Sequence, residues 1–290
     1  MTPALAFEQL LNGLQFGVML FLMSAGLTLV FGIMNFINLA HGSFYMLGAF
    51  FAATLIKITG NFFLSVLIAI PATAIVGMVF ERLVLKHFYR RDHLDQVLVT
   101  FGLIFVFNDI IRILWGVAPI PMPLPEAFSG SVEVFPGVQY PAFRLAILVA
   151  GLLVAFLLYL LIVHTRSGMW VRAGSSDRVM ASALGVKVSL VFSAVFAVGA
   201  ALAGFAGMMA GPITAVMVGM GDSILILALV VTVLGGIGSI RGAFVAALLI
   251  GIVDTFARVL LPAAFGNICI FMLMACILAW KPKGLFPAHG

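Results

Sequence analysis

Apolar residues run through this chain in long stretches, and the polar positions gather in the gaps between them. Nine runs stand out: Leu10 to Met34, Phe44 to Lys57, Phe62 to Leu85, Val97 to Trp115, Phe143 to Val163, Val188 to Ala210, Ile224 to Leu234, Ala243 to Leu261 and Ile268 to Trp280. A helix needs roughly 20 apolar residues to cross a bilayer, so the pattern predicts an all-α, polytopic membrane bundle of about eight or nine helices. Two runs fall short. Phe44 to Lys57 and Ile224 to Leu234 reach only ~20 Å and ~17 Å at 1.5 Å per residue, against a core of ~30 Å. Both adjoin polar or Gly-rich residues, which predicts broken or short helices there. Residues 1–290 are expected to form one transmembrane domain, with no stretch left for a soluble one.

Composition agrees with this pattern. Hydrophobic residues make up 64% and charged residues 9%, where a soluble domain carries about 25% charged. The net charge of +5 does not indicate nucleic acid, because the Lys and Arg residues sit in clusters between apolar runs. Such clusters orient a membrane protein, since cytoplasmic loops collect Lys and Arg. Arg82, Lys86, Arg90 and Arg91 follow the third run, and Arg166, Arg172, Arg178 and Lys187 the fifth. Arg241 follows the seventh, and Lys281 and Lys283 the last. Nine passes put all of these on one side, with the N-terminus outside and the C-terminus inside. The segment Gly116 to Tyr140 then lies outside; it has no Lys or Arg and holds Pro119, Pro121, Pro123, Pro125 and Pro136. The first run has no basic leader and is too long for a signal peptide, so it is expected to be retained. Cys269 and Cys276 both lie in the last run, which supports neither a disulfide framework nor a Cys metal site.

The most informative interruption is Asn35 to Ser43, with Asn35, Asn38, His41, Gly42 and Ser43 between two apolar runs. Non-helical backbone at membrane depth persists only where protein or a water-filled cavity satisfies it, so this is a candidate solute path. The alternative is an ordinary cytoplasmic turn, with Asn35 and Asn38 as caps and His41 at the headgroups. His41 has no second ligand at metal spacing. Thr100, Asn108, Gly235, Gly236 and Gly238 are further path candidates. The Gly-rich stretch Leu234 to Gly242 is no phosphate loop, because no Lys-Ser or Lys-Thr follows at the required spacing. Its glycines, like Gly199, Gly204, Gly207 and Gly211, suit tight reversal and close helix contact. His41-Gly42-Ser43-Phe44 opens a helix after a polar break and Arg241-Gly242-Ala243-Phe244 opens another, a weak internal echo of the kind transporter halves often show.

Ionisable residues inside apolar runs are functional candidates. Asp109 with Arg112 and Asp254 with Arg258 are spaced to meet on one helix face, which also fits paired charges near outer helix ends. The polar loop Thr165 to Lys187 contains a short amphipathic helix, Val179 to Val186, closed by Gly185. Met180, Ala183 and Leu184 can share its apolar face, for lipid or for a cytoplasmic partner.

Several stretches together resemble the LivH-type permease of branched-chain amino-acid ABC importers. They are Gly26 to Gly32 leading into Asn38 to Ser43, then Arg172-Ala173 through Ala183-Leu184-Gly185, then Leu234 to Ser239. The resemblance covers nearly the whole chain. It implies a pore subunit in a bacterial inner membrane, in a heterodimer with a second related permease. It also implies two cytoplasmic ATPase subunits and a periplasmic binding protein delivering leucine, isoleucine or valine. Residues 172 to 187 would be the ATPase coupling loop, with Arg172, Asp177, Met180, Ala183, Leu184 and Gly185 as its candidates. ABC permeases tend to read Glu-Ala-Ala, three residues, then Gly in that loop, whereas this chain has Val179-Met180-Ala181 before Gly185. The chain has no Walker motif, so it is expected to bind no cofactor and to catalyse nothing, with ATP used by the partner subunits. Urea, short amides and aromatic acids remain alternative substrates within this class. An ion-coupled secondary transporter using Asp109 or Asp254 is the rival mechanism, and His41, His87, His93 and His164 are too scattered for an enzyme site.

Overall fold

A computed structural model describes residues 2–89 and 91–286. Arg90, counted above among the loop cations, and the last four residues lie outside them. The chain opens with α1 (Pro3–Met34), 32 residues long, started by Pro3 and by the Thr2 hydroxyl accepting from the Leu5 amide at 3.3 Å. Asn35, at φ +51, closes it in the left-handed region, with its amide on the Phe31 carbonyl. Then come α2 (His41–Thr59), α3 (Phe62–Leu83) and α4 (His93–Trp115). A hairpin of β1 (Ser131–Phe135) and β2 (Val138–Pro141) leads into α5 (Ala142–His164). The rest is α6 (Arg166–Ser176), α7 (Arg178–Ala183), α8 (Val188–Thr214), α9 (Met220–Gly235), α10 (Ile240–Leu260) and α11 (Ala263–Trp280).

Each of the nine apolar runs becomes a helix. Seven (α1 to α5, α8 and α10) are long and apolar enough to cross a membrane, and α9 and α11 contain shorter apolar stretches. The protein is a multi-pass membrane helix bundle. His41 opens α2, as the tetrapeptide His41 to Phe44 implies, and the 19 residues of this helix span ~28 Å. Other details differ from the sequence reading. α9 gains a turn at its start and spans ~24 Å over 16 residues. The polar loop after α5 holds two helices, α6 as well as the expected α7, so eleven α-helices occur among the described residues. The Pro-rich segment Gly116 to Tyr140 also ends in a hairpin, turned by Gly137 at φ +81.

Side-chain contacts define two ends of the bundle. At the hairpin end, the Tyr140 hydroxyl donates to Asn12 of α1 at 3.0 Å, and Arg144 donates to the same Asn12 oxygen at 2.5 Å. Burial raises the Tyr140 phenol above its ordinary pKa, with Arg144 opposing. At the other, basic end, Arg178 meets the last carbonyls of α1. Of the described Lys and Arg residues, only Lys57, Arg112, Arg144 and Arg258 lie at the hairpin end.

α1 is the axis of the bundle. It is buried over most of its length and packs against α8, α9, α10 and α5. Lipid tails are as apolar as Leu, so such helices associate by close van der Waals contact, which small residues permit. A Cβ on Gly26 would lie 2.6 Å from the Gly199 carbonyl oxygen, and one on Gly48 would lie 2.6 Å from that of Gly204. Gly13 and Gly17 meet the backbone of α10 around Ala247 to Ile252, and Gly207 meets Tyr45. The contact role expected for Gly199, Gly204 and Gly207 is therefore realised; Gly211 instead faces Met122 and Val216.

This packing predicts that Gly48→Leu, which drives a side chain into the backbone of α8, destabilises the protein by ~1–3 kcal/mol or more. Gly102→Leu, where a Cβ meets open space, should leave the melting temperature in detergent unchanged. Equal melting of both variants and wild type would refute the glycine contact.

Candidate functional site

The path from α1 to α2 is not a surface turn. After Asn35 the chain runs without helix through Phe36 to Ala40, and Phe36, Asn38 and Ala40 are fully buried. The side chain of Gln96, in the first turn of α4, holds this strap. Its Oε1 accepts from the Ile37 amide at 3.2 Å, while its Nε2 donates to the Phe88 and Arg91 carbonyls. The strap then climbs into the bundle. The His41 Nε2 lies 2.8 Å from the Cβ position of Gly26, eight residues or ~12 Å before the end of α1. Gly42 packs on Gly221 in the first turn of α9, fourteen residues or ~21 Å from Gly235 at the basic end. So α2 begins deep in the bundle, with His41 fully buried there.

That depth leaves polar groups without partners. Both amide atoms of Asn38, both ring nitrogens of His41 and the Ser43 hydroxyl are buried and make no hydrogen bond, although the Met23 carbonyl lies beside His41. An unsatisfied buried donor or acceptor costs about 1–3 kcal/mol, so several together in one strap mark a place kept polar for a reason other than stability. Asn35 is exposed, as a helix cap. Gly42 is a contact glycine, because a Cβ there would lie 2.6 Å from the Gly221 carbonyl oxygen.

The other path candidates divide. Asn108 faces the Asp222 carboxylate at the start of α9 and leaves its own Oδ1 unpartnered, which places it near the Gly42–Gly221 contact. Thr100 is buried, but its hydroxyl returns to the Gln96 carbonyl at 2.8 Å. Gly235, Gly236 and Gly238 lie at the far end of α9 and make the reversal into α10. Gly236 and Gly238 hold φ of +101 and +81, Gly235 packs on Gly242 and Gly238 on Gly32. The echoing tetrapeptides thus share a geometry: Gly42 and Gly242 each open a helix, and they pack on opposite ends of α9.

Two cavities are bounded by α1 and α9 from opposite ends. One of about 630 Å³ opens toward the hairpin end, with Gln15, Met19, Tyr45, Ser223, Leu227 and Arg258 in its wall. The other, about 420 Å³, lies at the basic end among Thr28, Gly32, Asn35, Arg172, Ser175 and Gly238. They share no lining residue. Along α1, the stretch between them holds Met23 and Gly26, against which His41 is set. On the basic side, the Thr28 hydroxyl lies 3.3 Å from that of Thr232, which donates to the Ala228 carbonyl at 2.8 Å.

The in-run charges pair as spaced. Asp109 and Arg112 meet at 3.2 Å on an exposed face, and Asp254 and Arg258 at 2.8 Å. Asp254 is buried, however, with one oxygen unpartnered, so only its Arg reaches outward.

At the basic end, Asp177 caps α7, accepting from the Val179 and Met180 amides at 2.9 Å each. Gly185, at φ +88, ends the turn after Leu184, as the αL position requires. Only Ala181 of α7 is buried; Val179, Met180 and Leu184 are 81%, 57% and 78% exposed, and Ala183 is exposed beside them. Arg172 turns back to the Ile162 carbonyl.

Residues 9–278 match the family described as branched-chain amino acid transport system / permease component. The chain belongs to that family. Among its relatives in the branched-chain permease family is the high-affinity branched-chain amino acid transport system permease protein BraD of Pseudomonas aeruginosa, 32% identical over 96% of this chain and 94% of BraD. LivH of Escherichia coli K12, with the same description, is 28% identical over 96% and 94% of the two chains. LivM of the same strain is 29% identical over 92% of this chain and 67% of LivM. No solved structure matches this chain.

For this member of the branched-chain permease family, sequence reasoning missed Gln15, Tyr45, Thr28 and Thr232 as cavity-side or interhelical polar groups. Gln15 carried a signal, being with Asn12 one of two amides inside the first apolar run. Thr28 and Thr232 carried none, since 204 residues separate them.

Because the Asn38 amide is buried without a partner, Asn38→Leu should raise the melting temperature in detergent, by an amount equivalent to ~1–3 kcal/mol. A lower melting temperature would show that the amide is bonded after all.

Proposed function

We propose that this chain is a pore-forming permease subunit of an ATP-driven importer for leucine, isoleucine and valine. The observation that carries the reading is the near full-length match to LivH- and BraD-type permeases. The pore would be shared with a second, LivM-like permease, since relatives of both kinds match this chain. Two ATPase subunits and a periplasmic binding protein complete the assembly. The distribution of Lys and Arg supports a basic end on the cytoplasmic side, with the N-terminus and the hairpin outside; the membrane is the bacterial inner membrane, where an ATP-driven importer works.

A zwitterionic amino acid needs polar partners in the bilayer, because burying an unpaired charge costs several kcal/mol or more. Asn38, His41, Ser43 and Asn108 offer uncharged ones at the depth where α2 and α9 begin. A pore fed by a binding protein requires no tight site, and a deep well would slow release. The two cavities support alternate opening toward the hairpin side and the basic side, with the strap between them. Val179, Met180, Ala183 and Leu184 form an exposed apolar face on the cytoplasmic side, suited to an ATPase groove.

The test is uptake of radiolabelled leucine in a strain lacking other importers, with the chain expressed alongside its partner subunits. ATP-dependent uptake that needs the binding protein is expected. Uptake that survives loss of the ATPases and collapses with the ion gradient would establish a secondary transporter instead. Asn38→Leu should lower uptake per inserted complex several-fold while protein level holds.

The exposed face of α7 generates a second expectation. Ala183→Glu should leave the protein inserted, abolish uptake and weaken co-purification of the ATPases. Normal co-purification with full uptake would make α7 a lipid-surface helix.

A further inference from the structure

Arg178 is the first residue of α7, yet its side chain does not join the exposed face. Its Nη2 donates to the Met34 carbonyl at 2.6 Å and lies 3.5 Å from the Ile33 carbonyl. These belong to the last turn of α1, where carbonyls lack intrahelical partners and the helix dipole is negative. The guanidinium also lies 4.9 Å from the centre of the Phe192 ring, in the first turns of α8. Phe192 packs edge-on against Tyr89, and Tyr89 against Phe36 of the strap. The Tyr89 hydroxyl in turn donates to the buried Glu81, whose other oxygen accepts from Ser193 at 2.5 Å. Burial first, and then Glu81, hold the Tyr89 phenol above its ordinary pKa, so it stays a donor at neutral pH.

α7 therefore has two faces of contact. Val179, Met180 and Ala183 point to solvent, while its first residue grips the point where α1 becomes the strap. The Asp177 cap binds the first turn of α7 into one piece, so a shift of that helix carries the backbone of Arg178 with it. A charge-assisted bond at 2.6 Å then either draws the end of α1 along or breaks. Beyond Met34 only six residues precede His41, and the strap they form ends in the unpartnered groups of Asn38, His41 and Ser43.

We infer that Arg178 is a positioning residue that passes displacement of α7 to the end of α1 and so to the strap Asn35 to Ser43. The inference rests on the reading of α7 as the ATPase contact. It differs from that reading in placing the transmitting bond on a residue outside the docking face.

The experiment uses the full complex in proteoliposomes with the binding protein, and reads leucine imported per ATP hydrolysed. Wild type must first show ATP-dependent import; its absence would sink the importer reading rather than this one. Arg178→Ala should lower the ratio about tenfold, as expected for loss of a charge-assisted hydrogen bond. Arg178→Lys, which keeps a cation near the carbonyls, should fall between the two. A wild-type ratio in Arg178→Ala overturns the proposal. If Arg178→Ala does not assemble, Arg178→Lys decides in the same way: a reduced ratio in an assembled complex supports the role, and a wild-type ratio overturns it.

Discussion

Within a bilayer every backbone amide and carbonyl must find its partner in protein, and this constraint organises the whole chain. Helices satisfy it by themselves, which is why nine apolar runs become helices almost without exception. The strap between α1 and α2 cannot. It survives at depth because Gln96 of α4 lends it a side-chain acceptor, because Arg178 covers the carbonyls of the helix before it, and because Phe36 and Ala40 are sealed in the core. Two separate elements, α4 and α7, are thus spent on keeping six residues out of helical form. Such an investment is intelligible when the strap delivers Asn38, His41 and Ser43 to the middle of a transport protein.

The same constraint explains the glycines. With no hydrophobic force between helices in lipid, contact has to come from proximity, and the axis helix α1 meets α8 and α10 through Gly26, Gly13 and Gly17. Along α1 one cavity borders Gln15 to Met19 and the other Thr28 to Asn35, with the closely packed stretch of Met23 and Gly26 between them. The polar content of the core is then carried by few residues. Glu81 is the extreme case, a buried carboxylate whose oxygens are met by Tyr89 and Ser193.

The helical architecture was legible because hydropathy reports directly on burial in lipid. Helix boundaries were less so: the start of α2 at His41 could be read from the polar break before it, whereas the first turn of α9, Met220 to Ser223, is polar and Gly-containing and could not. Charge pairs three and four apart could be read from spacing, but the burial of Asp254 could not, because it depends on what packs beside α10. The strap residues stood out by their polarity, and Gly235 to Gly238 make the tight reversal that their glycines suited. The depth of the strap was not legible, because a linear pattern does not encode it. Likewise α6 was hidden, because its sequence is polar and its helix is fixed locally by the Thr165 cap on Gly168.

The glycine pairs at the two ends of α9 have a mechanical consequence. Gly42 on Gly221 and Gly242 on Gly235 bring backbone against backbone, with no interdigitated side chains to lift out of their grooves. At these two seats backbone bears on backbone, so a small displacement there needs no change of rotamer, while the side chains buried between them, Leu225, Ala228, Val231 and Leu234 among them, hold the helix against its neighbours.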